Sequence, residues 1–204
     1  MRPENEPSGR KRSFIEDARR AQVVQAARET VAAVGHANAS LARIAEHAGI
    51  SKSVISYHFD GKDELLEQVA TQFFEQTWEY MEPRIAAAGS AAERVRAWID
   101  AQMSYFAAHR PAFLAMIEIV ANHRRADGTR PFAASEQEEL EALAEVLADG
   151  QSAGEFRDFD TRTYAMIISQ AMEGALSRWA LDEAVDLSVQ SRALRDFVDN
   201  AIGR

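Results

Sequence analysis

The chain has 204 residues, of which 47% are hydrophobic and 27% charged, with a net charge of −9 and no cysteine. This composition indicates one or two folded domains and excludes a disordered chain, a disulfide-stabilised scaffold and a thiolate metal site. The polar start, MRPENEPSGRKR, lacks the apolar run of a secretory signal, and the most apolar stretch, Tyr164 to Leu181, is interrupted by Gln170, Glu173 and Arg178. We therefore expect a cytoplasmic protein with no membrane span, no metal and no cofactor.

The charges are unevenly distributed along the chain. Residues 1–62 contain 10 basic and 7 acidic side chains, a net of +3, which leaves 13 basic and 25 acidic, a net of −12, for residues 63–204. All three lysines, Lys11, Lys52 and Lys62, lie in the first segment. The overall charge argues against non-specific attraction to nucleic acid, but it conceals a mildly basic head on an acidic body.

The N-terminal segment predicts an arm followed by a helix. Residues 1–13 contain two prolines, a glycine and the run Arg10-Lys11-Arg12, which together are typical of a flexible basic arm. From Ile15 to Val34 apolar residues recur every three or four positions, as they do along one face of a helix, and Gly35 ends that helix.

Two short helices follow, separated by Gly49. Ser40 is placed to cap the first, and Ser51 is placed to cap the second, which extends to Phe59. Lys62 then opens a long amphipathic helix. This helix is expected to end at Pro83 or soon after, because proline removes a helical hydrogen bond.

The remainder of the chain also has helical periodicity. Further helices are expected at about 90–108, 111–126, 134–150, 161–182 and 188–202. No segment alternates with a period of two, so we expect no sheet. The predicted fold is all-α, with a three-helix headpiece followed by a helical bundle.

The two short helices are arranged as a helix-turn-helix, in which the second helix lies in the DNA major groove. Ile50, Ile55 and Phe59 are expected to face inward. The side chains that this arrangement turns outward are Lys52, Ser53, Val54, Ser56, Tyr57 and His58. They supply small side chains, phosphate donors and apolar atoms for thymine methyl groups, and the helix starts at Ser40, Ser51 and Lys62 add backbone N–H groups. Spacing alone is equally compatible with an ordinary solvated face.

Residues 40–66, SLARIAEHAGISKSVISYHFDGKDELL, closely resemble the N-terminal motif of the tetracycline-repressor (TetR) family. The usual form of that motif is roughly T-x-x-x-IA-x-x-AGVS-x-x-x-LYxHF-x-x-K-x-x-L. The residues in register are Ile44-Ala45, Ala48-Gly49-Ile50-Ser51, Tyr57-His58-Phe59, Lys62 and Leu65. The resemblance is strong over residues 14 to about 75. Beyond that it lies in the helical layout and in the segment GQSAGEFRDFD.

The resemblance implies a set of DNA contacts. These are Ser40, Lys52, Ser53, Val54, Tyr57, His58 and Lys62, with Tyr57, His58 and Lys62 mainly on phosphates. The sequence departs from the family at two positions, since Ser56 replaces a frequent tyrosine and Ala42 a frequent arginine. We expect the basic arm, together with Arg19 and Arg20, to compensate for the missing backbone contacts.

The family keeps a small-molecule pocket inside its C-terminal bundle. The candidates for lining such a pocket here are Trp78, Met81, Phe106, Met116, His123, Gln170 and Glu173. The three polar residues each interrupt an apolar helical face, and a buried polar group requires a partner. Most of the bulky apolar residues of the body are expected to be ordinary core, and the polar candidates are also compatible with solvent or a subunit interface.

The segment Tyr164 to Leu181 is apolar on more than one face, which indicates a partner. Together with Leu140, Leu143 and Leu147 it predicts a homodimer with a four-helix interface formed by residues of about 134–150 and 161–182, as the resemblance also implies. A twofold dimer places its two recognition helices about 34 Å apart, one turn of B-DNA, and so predicts a palindromic operator.

These features predict a ligand-responsive transcriptional regulator, a repressor that a small apolar or amphipathic molecule releases from DNA. Its expected divisions are a basic arm (1–13), a DNA-binding domain (14–61) and a ligand-binding and dimerisation domain (62–204). Two other classes remain open. One is an all-helical enzyme using His109 or His123, although the sequence contains no HExxH, no di-iron ExxH pairing and no GxSxG. The other is a purely structural dimer.

Overall fold

The computed structural model describes residues 14–182 and 184–204, so the predicted arm at 1–13 lies outside the described residues. Within this part of the chain there are nine α-helices, one 3₁₀ turn and no strand, which confirms the all-α class. The helices are α1 (Phe14–Val34), α2 (Leu41–Ala48), α3 (Lys52–His58), α4 (Lys62–Ala86), α5 (Ala91–Ala108), α6 (Arg110–Asn122), α7 (Ala133–Ser152), α8 (Thr161–Leu181) and α9 (Leu187–Ile202). The 3₁₀ turn (His36–Asn38) joins α1 to α2.

One of two helix ends agrees with the sequence-based boundary and the other does not. Helix α4 ends at Ala86, soon after Pro83 as expected, because a proline one turn from the end of a helix leaves the later hydrogen bonds intact, including Ala87 N–H to Pro83 O at 3.1 Å. Helix α6 ends at Asn122 instead of about 126, since Arg125 N–H turns away to bond Thr129 O at 3.1 Å.

The first three helices enclose a hydrophobic cluster that continues into the start of α4. Its buried members include Val23, Val24, Ala27, Val31, Ile44, Ala45, Ile55, Phe59, Leu65 and Leu66. The tight turn between α2 and α3 depends on Gly49, whose φ of 65° lies in the left-handed region that favours glycine. The arrangement is a helix-turn-helix, as predicted.

The hydrophobic cluster of the headpiece extends into the body of the protein. It includes Ala115 and Ile119 of α6, while the adjacent cluster in the bundle includes Phe113 and Met116 of the same helix. Helix α6 therefore packs with one face on the headpiece and with another on the bundle.

The segment GQSAGEFRDFD joins α7 to α8 and also supports α5. A Cβ at Gly150 would lie 2.1 Å from the Phe156 ring, so only glycine lets this ring pack there. Glu155 accepts hydrogen bonds from the backbone N–H groups of Ala91 and Ala92 at 3.1 and 3.0 Å, and so caps the start of α5. These two backbone bonds hold the pKa of the Glu155 carboxyl below its usual value.

One part of the predicted subunit interface is wrong. Leu143 and Leu147 are 2% and 0% exposed in the single chain, where they belong to the core of the bundle, so they are not available to a partner. Among the described residues, no helix is long and apolar enough to cross a membrane.

Candidate nucleic-acid interface and effector groove

Helix α3 presents one face to solvent and buries the other. Ile55 and Phe59 are 0% and 2% exposed against α1 and α2. The residues predicted to contact DNA lie on the other side: Lys52, Ser53, Ser56 and Tyr57 are exposed, while Val54 and His58 are half-buried. The buried pair fixes the helix on the headpiece, and the polar side chains are brought together on one accessible surface.

Several of these side chains have local partners that orient them. Ser40 caps α2 by accepting a hydrogen bond from Arg43 N–H at 3.3 Å. The Tyr57 side chain is exposed, and its hydroxyl donates to Glu16 at 3.3 Å. The Tyr57 ring also meets the His58 ring edge-on, with centroids 5.0 Å apart. The exposed tyrosine hydroxyl thus lies above the start of α1.

Lys62 is less exposed to solvent than most of the other predicted DNA contacts. Its side chain is half-buried, and its Nζ donates a hydrogen bond to His36 O at 2.8 Å. This bond ties the start of α4 to the turn between α1 and α2. The ammonium group has three donors, so one of them is used inside the protein.

Arg20 was expected to help bind DNA, but its guanidinium points inward. It donates to the backbone carbonyl of His58, to Glu64 at 3.0 Å and to Gln68 at 3.3 Å, and it lies 4.0 Å from the centre of the Phe59 ring. It therefore connects the end of α3 to α1 and α4. Arg19 is exposed and donates to Gln22 at 2.6 Å.

His123 lies at the junction between headpiece and bundle, where it is 2% exposed. Its ring is 3.3 Å from a Glu67 carboxylate oxygen, which also accepts from Arg125 at 2.9 Å. The hydrogen bond from Arg125, followed by that from His123, holds the pKa of Glu67 below its usual value despite partial burial. The ring of His36, in the turn between α1 and α2, is also close, with its centre 6.0 Å from that of the His123 ring.

The same junction holds the turn between α1 and α2 against α6. The backbone N–H of His36 donates to Glu118 at 3.1 Å. Burial lowers the pKa of the His36 ring, and the nearby positive charge of Lys62 lowers it further. His123 therefore contacts Glu67 of α4 and lies next to His36, in the turn between α1 and α2.

Three of the four apolar ligand-binding candidates are part of the bundle core. Met81, Phe106 and Met116 belong to its hydrophobic cluster. Trp78 is 41% exposed and packs edge-on against the buried Trp98, with ring centres 5.6 Å apart. None of these four lines the groove described next.

A groove runs between α7 and α8, as two adjoining cavities of about 230 and 150 Å³. Its lining residues are Glu136, Gln137, Glu139, Leu140, Glu141, Arg162, Thr163, Met166, Ser169, Gln170 and Glu173. Two predicted ligand-binding residues, Gln170 and Glu173, are thus brought together here, apart from the other five.

Sequence reasoning missed Glu139, which lines this groove, and Gln102, which is hydrogen-bonded to it. Gln102 of α5 is nine-tenths buried and donates from Nε2 to Glu139 Oε1 at 2.9 Å. Burial raises the pKa of Glu139, and repulsion from Glu173 and Glu136 raises it further, although the bond from Gln102 opposes the shift. Gln102 interrupts the apolar run WIDAQMSYF, the same signal that singled out Gln170. Glu139 was hidden in the run EQEEL, where nothing distinguishes one glutamate from the next.

Comparison with known families gives two matches. Residues 23–69 match the family described as bacterial regulatory proteins, tetR family, and residues 88–180 match the tetracyclin repressor-like C-terminal domain. The HTH-type transcriptional regulator BetI 1 of Chromohalobacter salexigens is 41% identical over 87 residues, which are 42% of this chain and 43% of that protein. The chain spans less than half the length of the first curated relatives it matches.

Solved structures match over most of the chain. A putative transcriptional regulator from Saccharomonospora viridis, in complex with choline, has a TM-score of 0.79 at 19% identity and covers 92% of this chain and 99% of its own. The regulator FadR from Bacillus subtilis, in complex with stearoyl-CoA, has a TM-score of 0.77 at 23% identity, with coverage of 86% and 95%. These similarities concern the fold.

Proposed function

Because the chain belongs to the TetR family of bacterial regulatory proteins, we propose that it is a cytoplasmic transcriptional regulator that represses genes by binding an operator in double-stranded DNA. In this proposal α3 enters the major groove, and a small molecule bound by the body changes the affinity for the operator. The divisions proposed from the sequence, with DNA binding in residues 14–61 and ligand binding and dimerisation in residues 62–204, are part of it.

The observation that carries the proposal is the outward face of α3. Lys52, Ser53, Ser56 and Tyr57 are all accessible, while Ile55 beneath them is fully buried. A recognition helix needs this combination, because its base contacts require accessible side chains and its orientation requires a fixed buried side. Ser40, Val54, His58 and Lys62 complete the proposed contact surface.

We propose that two copies bind one palindromic operator through a subunit interface on α7 and α8. Three large apolar side chains of α8, Met166, Ile167 and Leu181, are 43%, 45% and 86% exposed. Gly174 of the same helix has open space where a Cβ would lie, which allows a second helix to approach closely. With Leu143 and Leu147 in the core, the proposed interface depends mainly on α8, with Leu140 at its margin.

We propose no enzymatic activity. Similar proteins are named as regulators, and His109, one of the two candidate catalytic histidines, stacks on Tyr105 at 4.1 Å while its Nδ1 lies 2.8 Å from the Tyr105 carbonyl oxygen. His123, the other, is buried against Glu67. A regulator needs neither residue for chemistry.

The test is binding to DNA that flanks the chain's own gene, measured by fluorescence anisotropy at several salt concentrations. Lys52→Ala should weaken binding and reduce the slope of log affinity against log salt by about 0.9, the value for one lost phosphate contact. The matched control is Arg192→Ala on α9, an exposed cation that bonds Ser188 on its own helix at 3.3 Å. Equal binding by wild type and Lys52→Ala at every salt concentration would contradict the proposal.

A further inference from the structure

Two histidines meet where the headpiece packs on the body. His36 lies in the turn between α1 and α2, His123 follows α6, and their ring centres are 6.0 Å apart. His123 is 2% exposed, and the Nε2 atom of His36 is fully buried with no hydrogen-bond partner in the described part of the chain. Neither ring belongs to the proposed DNA-binding surface. Their position instead allows them to affect how the headpiece is held.

The backbone of His36 bonds to two helices. Its N–H donates to Glu118 of α6 at 3.1 Å, and its carbonyl oxygen accepts from Lys62 of α4 at 2.8 Å. Helices α4 and α6 also pack on each other, and both contribute to the core of the bundle. A displacement of His36 therefore breaks two of the bonds that connect the turn to the body.

The His36 ring is surrounded by groups of both charges. The charged or titratable groups that face this turn are Lys62 and Asp63 of α4, Glu118 of α6, His123 after α6 and Arg43 of α2. Helix α1 meets the turn through the backbone carbonyls of Val31 and Val34. Burial lowers the pKa of the His36 ring, and Lys62 and His123 lower it further, against the opposing effect of the two carboxylates. The ring is therefore neutral at pH 7.

The two rings differ in how they can accommodate a proton. A charge on His123 would lie 3.3 Å from a Glu67 oxygen and 3.9 Å from an Asp63 oxygen, so it would face carboxylates. A charged His36 would need an acceptor at both ring nitrogens, yet its Nε2 is buried and unpartnered among the described residues. Burying a charge without hydrogen-bond partners is costly. The charged His36 ring can satisfy its donors only by turning toward solvent.

We propose that this junction is a pH-sensitive contact, in which neutral His36 keeps the turn between α1 and α2 packed against α6 and a proton on its ring releases the turn in mildly acidic solution. The backbone bonds of His36 to Glu118 and Lys62 are then lost. A released headpiece binds DNA more weakly, because only the fraction of molecules with the headpiece in place is competent to bind. This last step rests on the proposed function, whereas the opening of the junction does not.

Proton linkage gives the direction of the effect. Because the pKa of the buried His36 ring lies below the ordinary value of about 6.5, the open turn binds the proton more tightly than the closed turn does. The closed turn is therefore fully favoured above about pH 6.5 and loses stability as the pH falls toward the lowered pKa. One proton changes the equilibrium between closed and open turn by at most about tenfold per pH unit.

The test is amide hydrogen exchange of the full chain between about pH 7.5 and 5.5, followed by NMR and corrected for the intrinsic exchange rate. Protection of the His36 and Ala39 amides, whose bonds belong to the turn, should fall with pH by up to about tenfold per unit. His36→Gln, which is neutral throughout, should remove this dependence. The matched control is His47→Gln, which removes a headpiece histidine that bonds Glu29 of α1 instead, and it should keep the dependence.

Two results would overturn the proposal directly. One is equal protection of the turn at both ends of the pH range in wild type. The other is a pH dependence that persists in His36→Gln, and its loss in His123→Gln would then assign the response to the other ring. If His36→Gln folds poorly, an NMR titration of the wild-type imidazoles replaces it. A His36 ring that titrates at or above about pH 6.5 in the folded protein overturns the proposal.

Operator binding by the same proteins separates this inference from the proposed function. Between about pH 7.5 and 5.5, wild type should lose about fivefold or more in affinity for the DNA flanking its gene beyond any loss in His36→Gln. This comparison is made because His58, a proposed phosphate contact, is present in both proteins. An acid-sensitive turn in a protein that binds no such DNA contradicts the regulator and leaves the junction standing. DNA binding with a turn that does not respond to pH contradicts only the junction.

Discussion

Arg20 gives the sharpest test of how the recognition helix is held. Its side chain is 17% exposed and contacts the His58 carbonyl, the Glu64 carboxylate and the Phe59 ring. A hydrogen bond from a charged group contributes about 1.5–3 kcal/mol, a partly exposed ion pair about 0–1 kcal/mol and a cation–π contact about 0.5–1 kcal/mol. These contributions overlap. Arg20→Met, which keeps the aliphatic packing, should therefore lower the free energy of unfolding by about 2–4 kcal/mol.

The same variant distinguishes a residue that stabilises the position of α3 from one that contacts DNA. If Arg20 stabilises α3, Arg20→Met should weaken operator binding, because the last turn of α3 loses a contact with α1, yet leave the salt dependence unchanged. As a phosphate contact it would reduce the salt slope by about 0.9. Urea unfolding followed by circular dichroism gives the stability, and anisotropy titrations between about 50 and 200 mM salt give the slope.

The control for this experiment is Arg19→Met, which removes an exposed guanidinium one position away. Its stability should match wild type within about 0.5 kcal/mol. A reduced salt slope in Arg20→Met, with stability unchanged, would refute a structural role for Arg20. It would support the expectation from the sequence that Arg20 contacts DNA.

Three further predictions follow from packing, titration and association. Gly150→Ala should destabilise the chain by about 1–3 kcal/mol in thermal unfolding, because its Cβ would lie 2.1 Å from Phe156. Glu139→Gln should be more stable than wild type at pH 7, with the difference shrinking as pH falls toward 4.5, because a folded-state pKa raised above 4.5 makes the wild type lose stability as pH rises. A constant difference between pH 4.5 and 8 in melting experiments would contradict this. Ile167→Glu should shift the protein toward monomer in sedimentation velocity without changing its helicity, because it places a charge on the proposed subunit interface.

The helices were predictable from the sequence because their signals are local. Apolar spacing and caps such as Ser40 and Gly49 depend on residues within a few positions of each other, and the structure places them as expected. The side on which a residue packs depends on distant segments. Leu143 and Leu147 have the spacing of an interface and of a core alike, and only the fold shows that α5 and α8 cover them.

The functional groups that were missed or misplaced share this dependence on distant contacts. Arg20 bonds Glu64, 44 positions away, and Gln102 bonds Glu139, 37 positions away. Both arginine and glutamate are common on solvated helical faces, so composition does not indicate which of them form fixed contacts with distant residues. Such pairings become visible only when the helices are in place.

The packing of α6 gives a physical route from the body to the headpiece. Phe113 of α6 contacts Phe106 of α5 and Trp179 of α8, with ring centres 5.0 and 5.8 Å apart. Less than two turns later, Ile119 is fully buried in the headpiece cluster. Because protein interiors are close-packed, we expect a shift of α8 that displaces Phe113 to change how the headpiece packs on α6.

This route limits what an effector has to do. A ligand bound by the body changes operator affinity only if it binds one position of α8 more tightly than another, since equal affinity for both shifts nothing. A difference of about 1–3 kcal/mol is sufficient, because it changes operator affinity by about 5- to 150-fold.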